Sequence, residues 1–170
     1  AAILLYRSGF DPVLGPFEGG SPDDPKLLAA LRQAPTAVVC LNNAAEALLR
    51  AQVRSADALR WSRIACAAQP SSPLIVDTHA RALAASGEFS AARALAERNS
   101  DAILSMVCLA EIELARGDRS EARRALGRAD ARLAVSFAPT RAIADRMQRV
   151  RLAVEEARTG AAREAGRSEP

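Results

Sequence analysis

Alanine recurs along this chain at two related sets of positions. Ala45, Ala80 and Ala110 stand 35 and then 30 residues apart, and Ala58, Ala92 and Ala122 stand 34 and then 30 apart. The outline around them is clearest in LNNAAEALLRAQVRSADALRWSRIACAAQP, residues 41–70, which reads as two helices joined by a short turn. Units of this size cannot bury an apolar face alone. They bury it by stacking, so a recurrence near 34 residues predicts a row of helix pairs.

Composition supports helix throughout. Hydrophobic residues make up 49% of the 170, yet aromatics only 4%. Much of the apolar share is alanine, which favours helix and lets helices approach closely. Apolar residues alternating with period two are almost absent, so strands are not expected. The predicted class is all-α. No run of about 18 apolar residues occurs, so no membrane span is expected. The formal net charge of +3, from 23 basic and 20 acidic residues, is too small to imply nucleic acid. The chain begins without methionine or a signal pattern, and we read it as a mature or excised piece of a longer protein.

Taken in order, residues 1–25 form an apolar end followed by GFDPVLGPFEGGSPDDP, whose glycines and prolines forbid a helix interior. That loop is either a binding loop anchored by Phe10 and Phe17 or, preferably, an insertion covering the end of the stack. Its glycines fit no phosphate-binding spacing. Asp24-Pro25 makes a capped helix start, and helix 26–34 ends at Pro35 as the remnant of a degenerate first repeat, with Ala30 as its packing residue. Helices are then expected at about 36–51, 55–68, 73–85, 90–98, 102–115 and 119–134. The fourth of these is a turn short, which accounts for the spacing of 30. Gly87 and Gly117 mark two of the turns, and the turn RAQVRSAD lacks a glycine. Residues 26–135 thus hold the repeats, a helix in 136–160 caps the stack with its polar outer face, and 161–170 form a disordered tail.

LNNAAEALL, PLIVDTHARALAASGEFSAA and LAEIELARGDRSEARRAL resemble bacterial tetratricopeptide repeats. Ala45, Ala80 and Ala110 stand where that family has a small residue in the first helix. Ala58, Ala92 and Ala122 match the alanine opening the second helix, Ala65 and Ala129 its later alanine, and Pro70 its closing proline. Departures are the lack of tryptophan or tyrosine in the first helices and His79 at an apolar position. The resemblance implies an antiparallel helix-pair solenoid of about three repeats, plus the degenerate one and the cap. It also implies a scaffold whose first helices line a concave groove for a peptide or helix of a partner protein.

Carried over residue by residue, the groove positions are Asn42, Asn43, Glu46 and Arg50, then Asp77, Thr78 and Arg81, then Val107, Glu111 and Leu114. Their mixed polarity does not match a basic clamp for a partner's terminal carboxylate. Asn42 and Asn43 are the sharpest candidates, because asparagine is a poor interior helix residue. Their amides either bond a partner's backbone or brace a neighbouring helix.

His79 is the only histidine and is expected to pack in the core. With no nucleophile–base pair and no ligand cluster in view, neither catalysis, a metal nor a cofactor is expected. Cys40, Cys66 and Cys108 lack metal or redox spacing and read as buried free thiols, which favours a reducing cytoplasm over the periplasm. Residues 116–151 carry ten arginines against four acids. The preferred reading is a solvated face with intrahelical pairs such as Glu121–Arg124. The other is a surface for an anionic partner, nucleic acid included, although no aromatics interleave for stacking. The functional reading is a protein-interaction scaffold within a larger bacterial assembly. A nucleic-acid-associated regulator, a non-catalytic domain of a larger enzyme or export protein, and homo-oligomerisation remain open.

Overall fold

A computed structural model of the chain describes residues 23–53, 55–98, 102–135 and 139–165. Among these residues there are eight α-helices and no strand. They are α1 (Pro25–Gln33), α2 (Pro35–Ala51), α3 (Ser55–Ala68), α4 (Pro73–Ala85), α5 (Phe89–Glu97), α6 (Ile103–Arg116), α7 (Arg119–Ala134) and α8 (Arg141–Ala165). All but α8 start and end within a residue of the positions expected from sequence. α8 continues past residue 160 into the segment expected to be a disordered tail. The apolar N-terminal end, most of the Gly/Pro loop with Phe10 and Phe17, and residues 166–170 lie outside the described residues.

The helix ends follow from local chemistry. Asp24 Oδ1 accepts from the Lys26 backbone N–H at 2.9 Å, with Pro25 at the first helical position. Asp118 Oδ1 caps α7 through the N–H of Glu121 at 3.0 Å. Ser72 stands at the cap of α4, but its side chain makes no capping bond; Pro73 fixes the first turn instead. The three first-helix C-termini share one closing motif. The N–H groups of Val53, Glu88 and Asp118 reach back to the carbonyls of Leu48, Leu83 and Glu113, at 3.2, 2.9 and 2.8 Å. Each motif needs one left-handed residue. Gly87 and Gly117 supply it at φ 83° and 89°, and Gln52 supplies it at φ 54° in the turn that lacks glycine. That turn therefore has the same closing geometry as the others despite its different sequence.

The chain divides into two compact units, Ala1–Ala92 and Arg93–Pro170. In the first, α2 packs on α3, α3 on α4, and α4 back on α2, while α1 lies against α2 and α3. Leu27, Leu31, Val38, Leu41, Leu48, Trp61, Ile64 and Ile75 form its core with interleaved alanines. In the second, α6, α7 and α8 pack by the same three pairings. Val107, Leu109, Ile112, Leu126, Met147, Val150 and Val154 are buried there.

The alanine pattern has a simple physical basis. Ala45, Ala58, Ala65, Ala80, Ala92, Ala110, Ala122 and Ala129 are all fully buried. A methyl group is what closely crossing helices can accommodate, and a larger side chain would overpack the crossing. Ala30 departs from this pattern. It is exposed, and α1 buries Leu27 and Leu31 instead. Cys66 and Cys108 are buried and not disulfide-bonded, whereas Cys40 is only half-buried.

Candidate functional site

The candidate face lies on α2 and α4, which pack together within the first unit and are equivalent at an offset of 35 residues. Val39 matches Leu74, Asn42 matches Asp77, Asn43 matches Thr78, and Glu46 matches Arg81. Each set follows the three- and four-residue steps of one helix face.

At the N-terminal end of this face Val39 and Leu74 are 48% and 66% exposed. In its middle Asn43 is exposed and Asn42 half-buried. Asn42 Oδ1 is shut off from solvent and meets no hydrogen-bond donor among the described residues. Such an orphaned acceptor costs about 1–3 kcal/mol relative to a satisfied one. The asparagine pair therefore does not brace a neighbouring helix through that oxygen.

The C-terminal end is a closed charge network. Arg81 Nη2 donates to Glu46 Oε2, and Arg81 Nε to Asp77 Oδ2 at 3.1 Å. Arg50 Nε lies 3.5 Å from Glu46 Oε1. Thr78 is buried and turns its hydroxyl back onto the Leu74 carbonyl, 3.0 Å away. Four of the expected groove residues thus hold one another, and a fifth is spent on its own helix. Only the asparagines and the exposed ends of the stripe remain open to a partner.

In the second unit, Glu111 accepts two hydrogen bonds from Arg146, Nε–Oε1 at 2.8 Å and Nη2–Oε2 at 2.6 Å. Val107, expected to face a groove, is completely buried, and Leu114 is half-buried. The position that is Asn42 in α2 is Val107 in α6, so the polar pair has no counterpart there.

Sequence reasoning passed over two features here. One is the recurrence of the ion pair itself. Glu46 and Glu111 each follow a small-residue marker, Ala45 and Ala110, and Arg81 and Arg146 each stand 35 residues later. The charge reversal at a fixed offset was visible in the text. The other is Glu113, only 3% exposed although charged. It occupies the place of Leu48 and Leu83 in the earlier first helices. Its Oε1 lies 3.3 Å from Arg93 Nη1, and its Oε2 has no hydrogen bond, with Arg116 Nη1 at 3.5 Å.

His79 sits half-buried on α4. Its Nδ1 is 3.0 Å from Ser62 Oγ, and Ser62 donates its one proton to the Leu59 carbonyl at 3.1 Å. With the Ser62 proton on that carbonyl, its oxygen is an acceptor for the tautomer of His79 protonated at Nδ1. Burial, and then the Arg63 guanidinium, lower the His79 pKa to about 4. The ring is neutral at neutral pH. Among the described residues no three His, Cys, Asp or Glu side chains gather as a metal site, and no helix is long and apolar enough to cross a membrane.

Comparison with protein-family models, curated proteins and solved structures returned no match.

Proposed function

We propose that this chain is a protein-interaction module of tetratricopeptide type, with its helix pairs stacked as a short solenoid. It takes a peptide segment or helix of a partner along the α2–α4 face. The observation that carries the reading is Asn42: its carbonyl oxygen is buried without a donor beside the exposed amide of Asn43. A rotation about the side chain presents the Asn42 amide beside that of Asn43. A partner backbone N–H then satisfies an acceptor that is orphaned in the free protein. Val39 and Leu74 supply apolar contact at one end of the same stripe. The Glu46–Arg81–Asp77 network holds α2 and α4 in register and so fixes the spacing of the contacts. Preorganisation of this kind lowers the entropy lost on binding.

The test is capture of partners by the intact protein, followed by competition with Asn42→Ala and Asn43→Ala variants. Loss of the captured partner with unchanged folding supports the reading. Retention of both stability and partner binding by the double variant removes the α2–α4 face from consideration.

A further inference from the structure

We infer that the outer face of α7 is a sequence-independent docking surface for double-stranded DNA, separate from the α2–α4 face. α7 runs from Arg119 to Ala134, about 24 Å at 1.5 Å per residue. Its inner face buries Ala122, Ala125, Leu126 and Ala129. Its exposed charged residues are the five arginines Arg119, Arg123, Arg124, Arg128 and Arg132, while the acids Glu121 and Asp130 are half-buried. Arg124, Arg128 and Arg132 follow one another at four-residue steps along one flank, and Arg119 and Arg123 occupy the other. Ser120, Gly127 and Ala131 form a low ridge between the flanks.

Like charges four apart on a helix repel, so each row opposes the helix it sits on. The two acids of α7 that could offset them are already engaged: Glu121 with Arg124, and Asp130 with Arg151 on α8. Arg119, Arg123, Arg128 and Arg132 make no ion pair among the described residues. Gly127 adds an independent observation. Glycine weakens a helix interior, and a Cβ placed at Gly127 meets nothing within 4 Å. No packing within the protein calls for glycine at that point. The open space there leaves room for a close approach from outside.

The chemistry of the face selects the occupant. It exposes no large apolar side chain between Arg119 and Arg132, so it lacks the apolar centre of a protein interface and the apolar wedge of a membrane-surface helix. A face with an excess of unpaired arginines fits phosphates, whose neutralisation releases counterions regardless of sequence. The major groove, about 12 Å wide, admits one helix. The low ridge lets α7 enter it, and the two arginine flanks reach the phosphates on either wall. The absence of aromatics agrees with contacts to phosphate alone.

The test uses the full chain and two unrelated 20-base-pair duplexes, followed by fluorescence anisotropy across a salt series. Both duplexes should bind equally. The log–log salt slope should be about −3 to −4, as expected for four phosphate contacts at about 0.9 each. Arg128→Gln with Arg132→Gln should lower affinity at least tenfold and reduce the slope by about 2. Arg32→Gln with Arg98→Gln, which removes two exposed arginines elsewhere, should change it far less. Gly127→Leu keeps the charge, fills the ridge, and should also weaken binding. The inference is overturned by absence of duplex binding at low salt, by equal losses in the two arginine pairs, or by tighter binding of polyglutamate than of duplex. Arg128→Glu alone, with helicity checked by circular dichroism, gives the same discrimination should the double variant misfold.

Discussion

Glu111 and Arg146 meet through two parallel hydrogen bonds, and Glu46 and Arg81 meet across the same 35-residue interval in the other unit. In both, the glutamate follows a fully buried alanine on one helix, and the arginine sits on the helix two places further along the chain. The pairs are partly shielded, so each partner is expensive to leave alone. Glu111→Ala should therefore destabilise the second unit by about 2 kcal/mol, and Arg146→Met by a similar amount. A double-mutant cycle in urea should return a coupling of about 1 kcal/mol or more. Additive effects would mean that the two side chains act independently.

Gln52 pays the conformational cost that Gly87 and Gly117 avoid. It holds the left-handed position at φ 54° in the same closing motif. Gln52→Gly should raise stability by about 0.5–1 kcal/mol, seen as a higher midpoint with an unchanged denaturant slope. A loss of stability would show that the Gln52 side chain makes a contact outweighing its backbone strain.

His79 should make stability depend on pH in a defined window. Its pKa is about 4 when folded against an ordinary value of 6.5, so the unfolded chain binds the extra proton between these values. Stability is then full above about pH 6.5 and falls as pH drops toward 4. At about 1.4 kcal/mol per unit, and reduced because the ring keeps some solvent, the loss is about 1–2 kcal/mol. His79→Gln should flatten that part of the profile. An unchanged slope between pH 6.5 and 4 would assign the acid sensitivity to other groups.

Glu113 places a carboxylate where the two preceding first helices bury Leu48 and Leu83. Replacing a buried charge by a well-packed apolar side chain is often neutral or stabilising. Here Arg93 keeps a second partner in Glu97, 2.8 Å away, and Arg116 keeps Asp118 at 3.6 Å. Glu113→Leu should consequently leave stability unchanged or raise it by about 1 kcal/mol, whereas Glu113→Ala should lower it by about 2 kcal/mol. A large loss from the leucine variant would show that the carboxylate holds α5 to α6.

The sequence by itself determined the all-helical class, the limits of α1 to α7 and the buried alanines of the repeats, though it placed Ala30 and the end of α8 wrongly. These rest on local and periodic rules: proline and aspartate starts, glycine ends, and methyl-sized residues where helices cross. It could not determine which polar residues of the first helices remain open. Glu46, Asp77 and Arg81 look alike as candidates in the text, and only the packing of α2 against α4 joins them into one network. The same packing buries Thr78 and leaves Asn42 Oδ1 without a donor. Helix periodicity reports which face a residue occupies, whereas pairing depends on what a separate helix brings within about 3 Å of it. Val107 and Asn42 occupy equivalent positions in their helices and differ in their surroundings for that reason. Helix formation is settled within each stretch of chain, while the chemistry left free on the surface is settled between stretches distant in sequence.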